Sequence, residues 1–142
     1  MKTVVVVLGV HRSGTSLTSE ILNKMGLSLG SELIPGRADN PRGFFENRLI
    51  VEQTRAIEQR LHLNPFRDLA LFERYDDGVD AETRAADVDR LAKVLRGEMA
   101  HDTATFAFKD PRTVQLLSLW TEVFNVLEVQ PVYVLALRHP SS

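Results

Sequence analysis

Apolar residues in this chain form short continuous runs separated by longer stretches in which they recur at helical spacing. Four consecutive valines and Leu8 make the first run, which is typical of a strand buried on both faces of a parallel sheet. Similar runs predict strands at 105–109 and 132–137. Because helical patterns separate these runs, the sequence predicts an α/β domain with a parallel sheet and right-handed crossovers.

Four helices are predicted between or after these strands. The first starts within 14–16 and ends at Met25, with Gly26 as its C-terminal cap. The second covers 47–61, and its inner face carries Ile50, Thr54, Ile57 and Leu61. The third covers 81–99 behind an Asp80 cap, with a solvated charged face and an inner face of Ala85, Val88, Leu91, Ala92 and Leu95. The fourth follows Pro111 and buries Leu117, Trp120, Phe124 and Leu127. The stretches 27–47 and 63–78 contain many helix breakers or mixed aromatic and charged residues, and are predicted to be irregular.

Composition narrows the possible partners and compartment. The chain has 142 residues, enough for one domain, and its net charge of −2 gives no general attraction to nucleic acid or to an anionic membrane. It contains no cysteine, which excludes disulfides and thiolate metal sites and fits a reducing compartment. The first apolar run is too short to span a membrane. We therefore expect a cytoplasmic protein with neither nucleic-acid nor membrane partners.

The turn after the first strand has the pattern of an anion-binding loop. It reads G-x-x-x-x-G-T-S from Gly9 to Ser16 and leads directly into a helix, so its backbone N–H groups and the helix dipole favour a negative charge. Nucleoside-triphosphate P-loops read G-x-x-x-x-G-K-[ST]. Here Thr15 occupies the lysine position, and Arg12 is the cation within the loop. The pattern therefore predicts one phosphate held at the turn, with a cation near the group bonded to it.

The segment HRSGTS, at 11–16, resembles the 5′-phosphosulfate-binding loop of sulfotransferases that use 3′-phosphoadenosine 5′-phosphosulfate (PAPS). This resemblance implies a three-layer, P-loop-like parallel sheet flanked by helices, and PAPS as co-substrate with no metal. It also implies that the nucleotide is bound by Arg12, Ser13, Gly14, Thr15 and Ser16, with Arg12 also serving catalysis.

Three further segments extend the resemblance. The strand followed by Arg138 is similar to the family's 3′-phosphate motif, which implies nucleotide binding by Arg138, but the serine that completes that motif is not found before Ser142. Residues 1–142 are therefore expected to be a single sulfotransferase-like domain that lacks its C-terminal part. The segments at 40–47 (NPRGFFEN) and 109–112 (KDPR) are similar to patterns in bacterial sulfotransferases.

The acceptor needs a catalytic base, and the sequence offers Glu46, His11 and Asp110. Glu46 is favoured because its loop is expected to face the acceptor, and because neighbouring Phe44 and Phe45 could raise its pKa by burial. Glu46 could instead cap the following helix. His11 titrates near neutral pH but could serve only to orient the loop.

Sulfuryl transfer from PAPS to a hydroxyl or amine is therefore the expected function, with a small molecule or carbohydrate as acceptor. A P-loop kinase or hydrolase, and a non-catalytic nucleotide-binding fragment, remain as alternatives. Charged residues at the ends of all three strands support a binding site at the carboxyl edge of the sheet. An exposed sheet edge would also permit a homo-oligomer.

Overall fold

The computed structural model describes residues 1–9, 14–36, 38, 43–61 and 74–139. Its strands are β1 (Thr3–Leu8), β2 (Phe106–Lys109) and β3 (Gln130–Leu135). Its helices are α1 (Thr15–Lys24), α2 (Arg48–Arg60), α3 (Arg74–Gly78), α4 (Ala81–His101) and α5 (Leu117–Leu127), with a 3₁₀ turn at Pro111–Val114.

The sheet is parallel and has the strand order β2-β1-β3. The valine run is the central strand, as its composition predicts, and the α/β class with parallel pairing is confirmed. β3 starts two residues earlier than expected, because pairing begins where the Gln130 amide donates to the Lys2 carbonyl. The Ala136 amide donates to the Leu8 carbonyl, so pairing with β1 continues just past the end of β3.

One face of the sheet carries the hydrophobic core. Val4 and Val6 of β1 and the two phenylalanines of β2 pack there against α2, α4 and α5. Trp120 of α5 is fully buried, with its ring centroid 4.8 Å from that of Phe108 and 5.7 Å from that of Phe124. The helical patterns of α2, α4 and α5 therefore meet on one side of the sheet.

Helix α1 lies on the other face, where Val7 and its partner Lys109 point. Its buried residues are Thr15 and Ser19, whereas Leu17, Ile21 and Met25 are exposed. Small inward side chains let the helix lie close to the strands, which leaves its apolar stripe uncovered. β3 is an edge strand with exposed apolar residues. Self-association through these surfaces stays a prediction.

Several expected features of the fold are wrong. The end of the predicted irregular stretch forms α3, where Tyr75 is fully buried and donates to Asp87 at 2.7 Å. The charged face of α4 is not wholly solvated, because Asp87 is buried between Tyr75 and Arg60, whose guanidinium lies 2.6 Å from the carboxylate. Leu117 and Ala85, both expected inside, are exposed, because α5 and α4 bury neighbouring positions instead. The rest of the stretch, 63–73, lies outside the described residues.

The stretch after α1 is held to the sheet rather than free. Ser28 bridges to β2, and Ser31 donates both its amide and its hydroxyl to the buried carboxylate of Glu98, at 2.7 and 2.8 Å. Gly30 adopts φ +98°, and a Cβ there would collide with the Asn47 and Glu98 side chains. A glycine is therefore required at this position by both conformation and space.

Gly30→Ala is expected to lower the free energy of unfolding by about 2–4 kcal/mol, from the left-handed backbone and the two contacts together. Gly97→Ala in α4 is the matched control, because no atom of the described residues lies within 4 Å of the added methyl group. The control should instead stabilise the protein by roughly 0.5–1 kcal/mol. Urea unfolding of both variants measures the difference, and equal effects would contradict the close packing at Gly30.

Candidate functional site

The candidate site starts at the turn between β1 and α1. Gly14 is the N-cap of α1 and has a left-handed backbone, with φ 92°. Among the described residues, a Cβ there would have no atom within 4 Å, so the backbone conformation is what calls for glycine. The first turn of α1 has no acidic residue, and its first N–H groups have no partners within the helix. This donor set fits an anion.

Two predicted nucleotide ligands flank that turn in different ways. The Thr15 side chain is buried, and so is that of Ser19, whose hydroxyl donates to the Thr15 carbonyl at 2.8 Å. The Ser16 hydroxyl lies 3.4 Å from the Phe44 carbonyl, to which it donates, and accepts from Lys109 at 3.0 Å. Of the pair, Ser16 therefore links the turn to other parts of the chain. His11, Arg12 and Ser13 lie outside the described residues.

Lys109 ends β2 and is the centre of a buried polar cluster. Its ammonium donates to the Ser16 hydroxyl at 3.0 Å and to the Phe44 carbonyl at 2.9 Å, and lies 3.3 Å from Glu46 Oε1. The side chain is only 4% exposed. Burial lowers the pKa of Lys109, and the Glu46 carboxylate opposes that shift. We name these residues, Ser16, Phe44, Glu46 and Lys109, the Lys109 cluster.

Glu46 is directed into this cluster and does not cap the helix. Asn47 supplies the cap of α2, accepting from the Ile50 amide at 3.1 Å. Burial raises the pKa of Glu46, Lys109 opposes the rise, and nearby Asp110 adds to it. A buried carboxyl group with a raised pKa is a better base near neutral pH than a solvated one. The prediction that Glu46 is buried is confirmed, whereas the helix-cap alternative is wrong.

Asp110 is held by its own neighbours. Its Oδ1 accepts from the Arg112 amide at 3.0 Å and from the Arg112 guanidinium at 3.1 Å, while Oδ2 accepts from the Thr54 hydroxyl. Arg112 also lies 3.2 Å from Glu58, whose pKa is raised by burial. Both carboxylate oxygens of Asp110 are therefore engaged, and the residue joins α2 to the end of β2. This makes Asp110 a weaker candidate base than Glu46.

Arg138 follows β3 at the same edge of the sheet but is exposed. It forms no hydrogen bond or ion pair with the described residues, so the structure does not draw it into the Lys109 cluster. The expectation that charged residues at all three strand ends converge is not tested, because His11 and Arg12 lie outside the described residues. Ser16, Lys109 and Glu46 meet, whereas Arg112 turns away towards Glu58 and Asp110.

The sequence placed Lys109 at the rim of the predicted site but gave it no role in binding or catalysis. The sequence did carry a signal, because a lysine at the end of the apolar run FAFK lies at the carboxyl edge of the sheet. What the pattern could not show is that this lysine is buried and paired with Glu46.

In the part of the chain that the structure describes, no three acidic or histidine side chains are grouped so that they could hold a metal ion. Nor is any described helix long and apolar enough to cross a membrane.

Comparison of the chain with protein-family models, with curated proteins and with solved structures gives no match. The residues themselves therefore have to carry any functional interpretation.

Proposed function

We propose that this protein is a PAPS-dependent sulfotransferase that transfers a sulfuryl group to a hydroxyl or amine of a small molecule or carbohydrate. The observation that carries the proposal is the Lys109 cluster, which joins the first turn of α1 to a buried carboxylate through a single ammonium. An anion-binding turn and a candidate base thus lie on either side of one residue. The resemblance of the loop at 11–16 to the phosphosulfate-binding loop supplies the nucleotide class, and with it the P-loop-like fold.

In this reaction the chain's residues position groups and stabilise charge. Backbone N–H groups at Gly14, Thr15 and Ser16 hold the 5′-phosphate of the nucleotide. Arg12, which stays protonated, neutralises the bridging oxygen as the bond between that oxygen and sulfur breaks, and the bonding electron pair remains on the released adenosine 3′,5′-bisphosphate. Glu46 takes the proton of the acceptor as the new bond to sulfur forms. Arg138 is proposed to bind the 3′-phosphate.

The P-loop kinase alternative is less well supported by the geometry. Such an enzyme needs a lysine within the loop, where this chain has Thr15, and a carboxylate available to a magnesium ion. Asp110 is the candidate carboxylate, but Thr54 and Arg112 occupy its oxygens. We place the proposed enzyme in the cytoplasm on the basis of its cysteine-free sequence.

Transfer of ³⁵S from labelled PAPS tests the proposal. The protein is incubated with a panel of hydroxyl and amine acceptors, and the labelled product and adenosine 3′,5′-bisphosphate are both quantified. Equal amounts of the two would support sulfuryl transfer. Magnesium-dependent hydrolysis of ATP would support the kinase or hydrolase alternative instead, and nucleotide binding without transfer to any acceptor would support a non-catalytic fragment.

Arg12→Ala is expected to weaken binding of adenosine 3′,5′-bisphosphate by roughly tenfold to a hundredfold, the usual effect of losing one hydrogen bond from a charged group. Lys24→Ala is the matched control, since this exposed lysine lies at the opposite end of α1. Isothermal titration calorimetry measures both affinities. Equal affinities in the two variants would remove Arg12 from the proposed site.

A further inference from the structure

Lys109 has three N–H donors, and the described residues offer it three acceptors. The acceptors belong to two separate parts of the chain, because Ser16 is in α1 whereas Phe44 and Glu46 precede α2. No donor of the ammonium is therefore left for a further ligand in the arrangement that the structure shows. An anion that arrives beside Ser16 has to compete with one of these three acceptors for the ammonium.

The segment that carries two of these acceptors is fixed independently of Lys109. Phe45 has a left-handed backbone, with φ 54°, which is a strained conformation for a bulky residue. Immediately after it, the Glu46 carbonyl accepts from the Ile34 amide at 2.9 Å, and Asn47 caps α2. The left-handed turn at Phe45 places the Phe44 carbonyl and the Glu46 carboxylate on the same ammonium. These anchors would keep Glu46 in place if the ammonium moved.

The Lys109 side chain, in contrast, is able to move. The lysine side chain has four rotatable bonds, and its Ser16 contact already lies at the first turn of α1. A phosphosulfate at that turn carries one negative charge on phosphorus and one on sulfur, and these two nearby charges attract an ammonium more strongly than a neutral hydroxyl or a single carboxylate does. The shift therefore requires only a short movement of the ammonium from one side of the cluster to the other.

We propose that Lys109 is a positioning residue whose ammonium moves from Glu46 to the nucleotide phosphate when the nucleotide binds at the turn of α1. We call this movement the hand-over. This inference rests on the proposed function, because it requires the anion to bind at that turn. The hand-over keeps the Glu46 carboxylate paired while the site is empty and releases it when the nucleotide is present. The candidate base is thereby made available only in the complex that can use it.

A change in the proton affinity of Glu46 follows from the hand-over. Among the described residues, the charged groups that act on Glu46 are Lys109 and Arg112, which lower its pKa, and Asp110, which raises it together with burial. Withdrawal of Lys109 removes the larger of the two cationic contributions, so the pKa of Glu46 rises on binding. A group whose pKa rises takes up protons, and nucleotide affinity should therefore increase as the pH falls through the interval between the two pKa values.

Isothermal titration calorimetry with adenosine 3′,5′-bisphosphate, in two buffers of different ionisation enthalpy, tests the hand-over. On binding the nucleotide, wild-type protein should take up a fraction of a proton more than Glu46→Gln does. Any protons that the nucleotide itself exchanges are the same for both proteins and cancel in this comparison. Glu46→Gln should also bind roughly threefold to tenfold more tightly at neutral pH, the scale of one net hydrogen bond that no longer has to be broken when the ammonium moves. Direct repulsion between the phosphate and Glu46 would give the same differences when Lys109 is also replaced by methionine, whereas the hand-over predicts that both differences become smaller in that background.

The outcomes separate the two proposals. Binding with the same proton uptake and the same affinity in both proteins would overturn the hand-over and leave the sulfotransferase proposal standing. An absence of binding in both would overturn the sulfotransferase proposal and the hand-over with it. A second readout is the ¹³C shift of the Glu46 carboxyl group in wild-type protein, followed against pH with and without nucleotide. A midpoint that does not move upward on binding would also overturn the hand-over.

Discussion

Lys109→Met is expected to lower the free energy of unfolding by about 3–5 kcal/mol at a pH of about 8, the cost of leaving a buried charge without its partner. The ammonium is 4% exposed and lies 3.3 Å from Glu46, whose side chain is 10% exposed. Methionine has a similar length but no charge, so the change removes the ion pair with little loss of volume. Urea unfolding measures the effect.

The dependence of this loss on pH identifies its cause. Burial already raises the pKa of Glu46, and removal of Lys109 takes away the main opposing influence. A carboxyl group whose folded-state pKa exceeds its unfolded value of about 4.3 destabilises the fold increasingly as the pH rises between the two values. The free energy of unfolding that Lys109→Met loses should therefore be smaller at a pH near the unfolded-state pKa of Glu46 than at a pH above its folded-state pKa.

A double variant, Lys109→Met with Glu46→Gln, is the control. It removes both charges, so most of the lost stability should return at neutral pH. A deficit that is independent of pH, or that the second substitution does not reduce, would mean that Lys109 acts through packing and not through its pairing with Glu46.

Glu46→Gln is expected to lower the turnover of sulfuryl transfer by roughly a hundredfold to ten-thousandfold, the usual contribution of a general base. Glutamine has nearly the same shape and still accepts from Lys109, but it cannot take a proton. Because nucleotide binding should be retained, the loss should appear in kcat. Steady-state transfer assays at saturating PAPS measure it.

Glu52→Gln is the matched control, because this carboxylate lies on α2, is half-exposed, and contacts Arg48 outside the Lys109 cluster. Its turnover should match that of the wild-type protein. If turnover is unchanged in Glu46→Gln as well, the base lies elsewhere, and His11 becomes the leading candidate.

Local patterns predicted the elements of this fold well where one face of a helix or strand is uniformly apolar. The Ile50, Thr54 and Ile57 spacing gave α2 within a residue or two, and the valine run gave the central strand. The same reasoning failed for Asp87. Its burial depends on Arg60 and Tyr75, which come from other helices, so no pattern within α4 could show it.

The candidate site divides in the same way. Gly14 and Ser16 could be predicted because the turn chemistry is local to the end of β1. Parallel topology further predicted that Lys109 lies at the same edge of the sheet. Its pairing with Glu46 depends on the left-handed backbone at Phe45, a property that no residue type in NPRGFFEN indicates. The contact between Lys109 and Glu46 could therefore not be anticipated from the local sequence.

The central claim is that the backbone at the start of α1 holds the inner phosphate of a sulfated nucleotide. Titration of ¹⁵N-labelled protein with adenosine 3′,5′-bisphosphate, followed by amide NMR shifts, tests it most directly. Saturable shifts of the Gly14, Thr15 and Ser16 amides, larger than those at the far end of α1, are expected. Shifts confined to residues away from that turn, or none at saturating nucleotide, would contradict the claim.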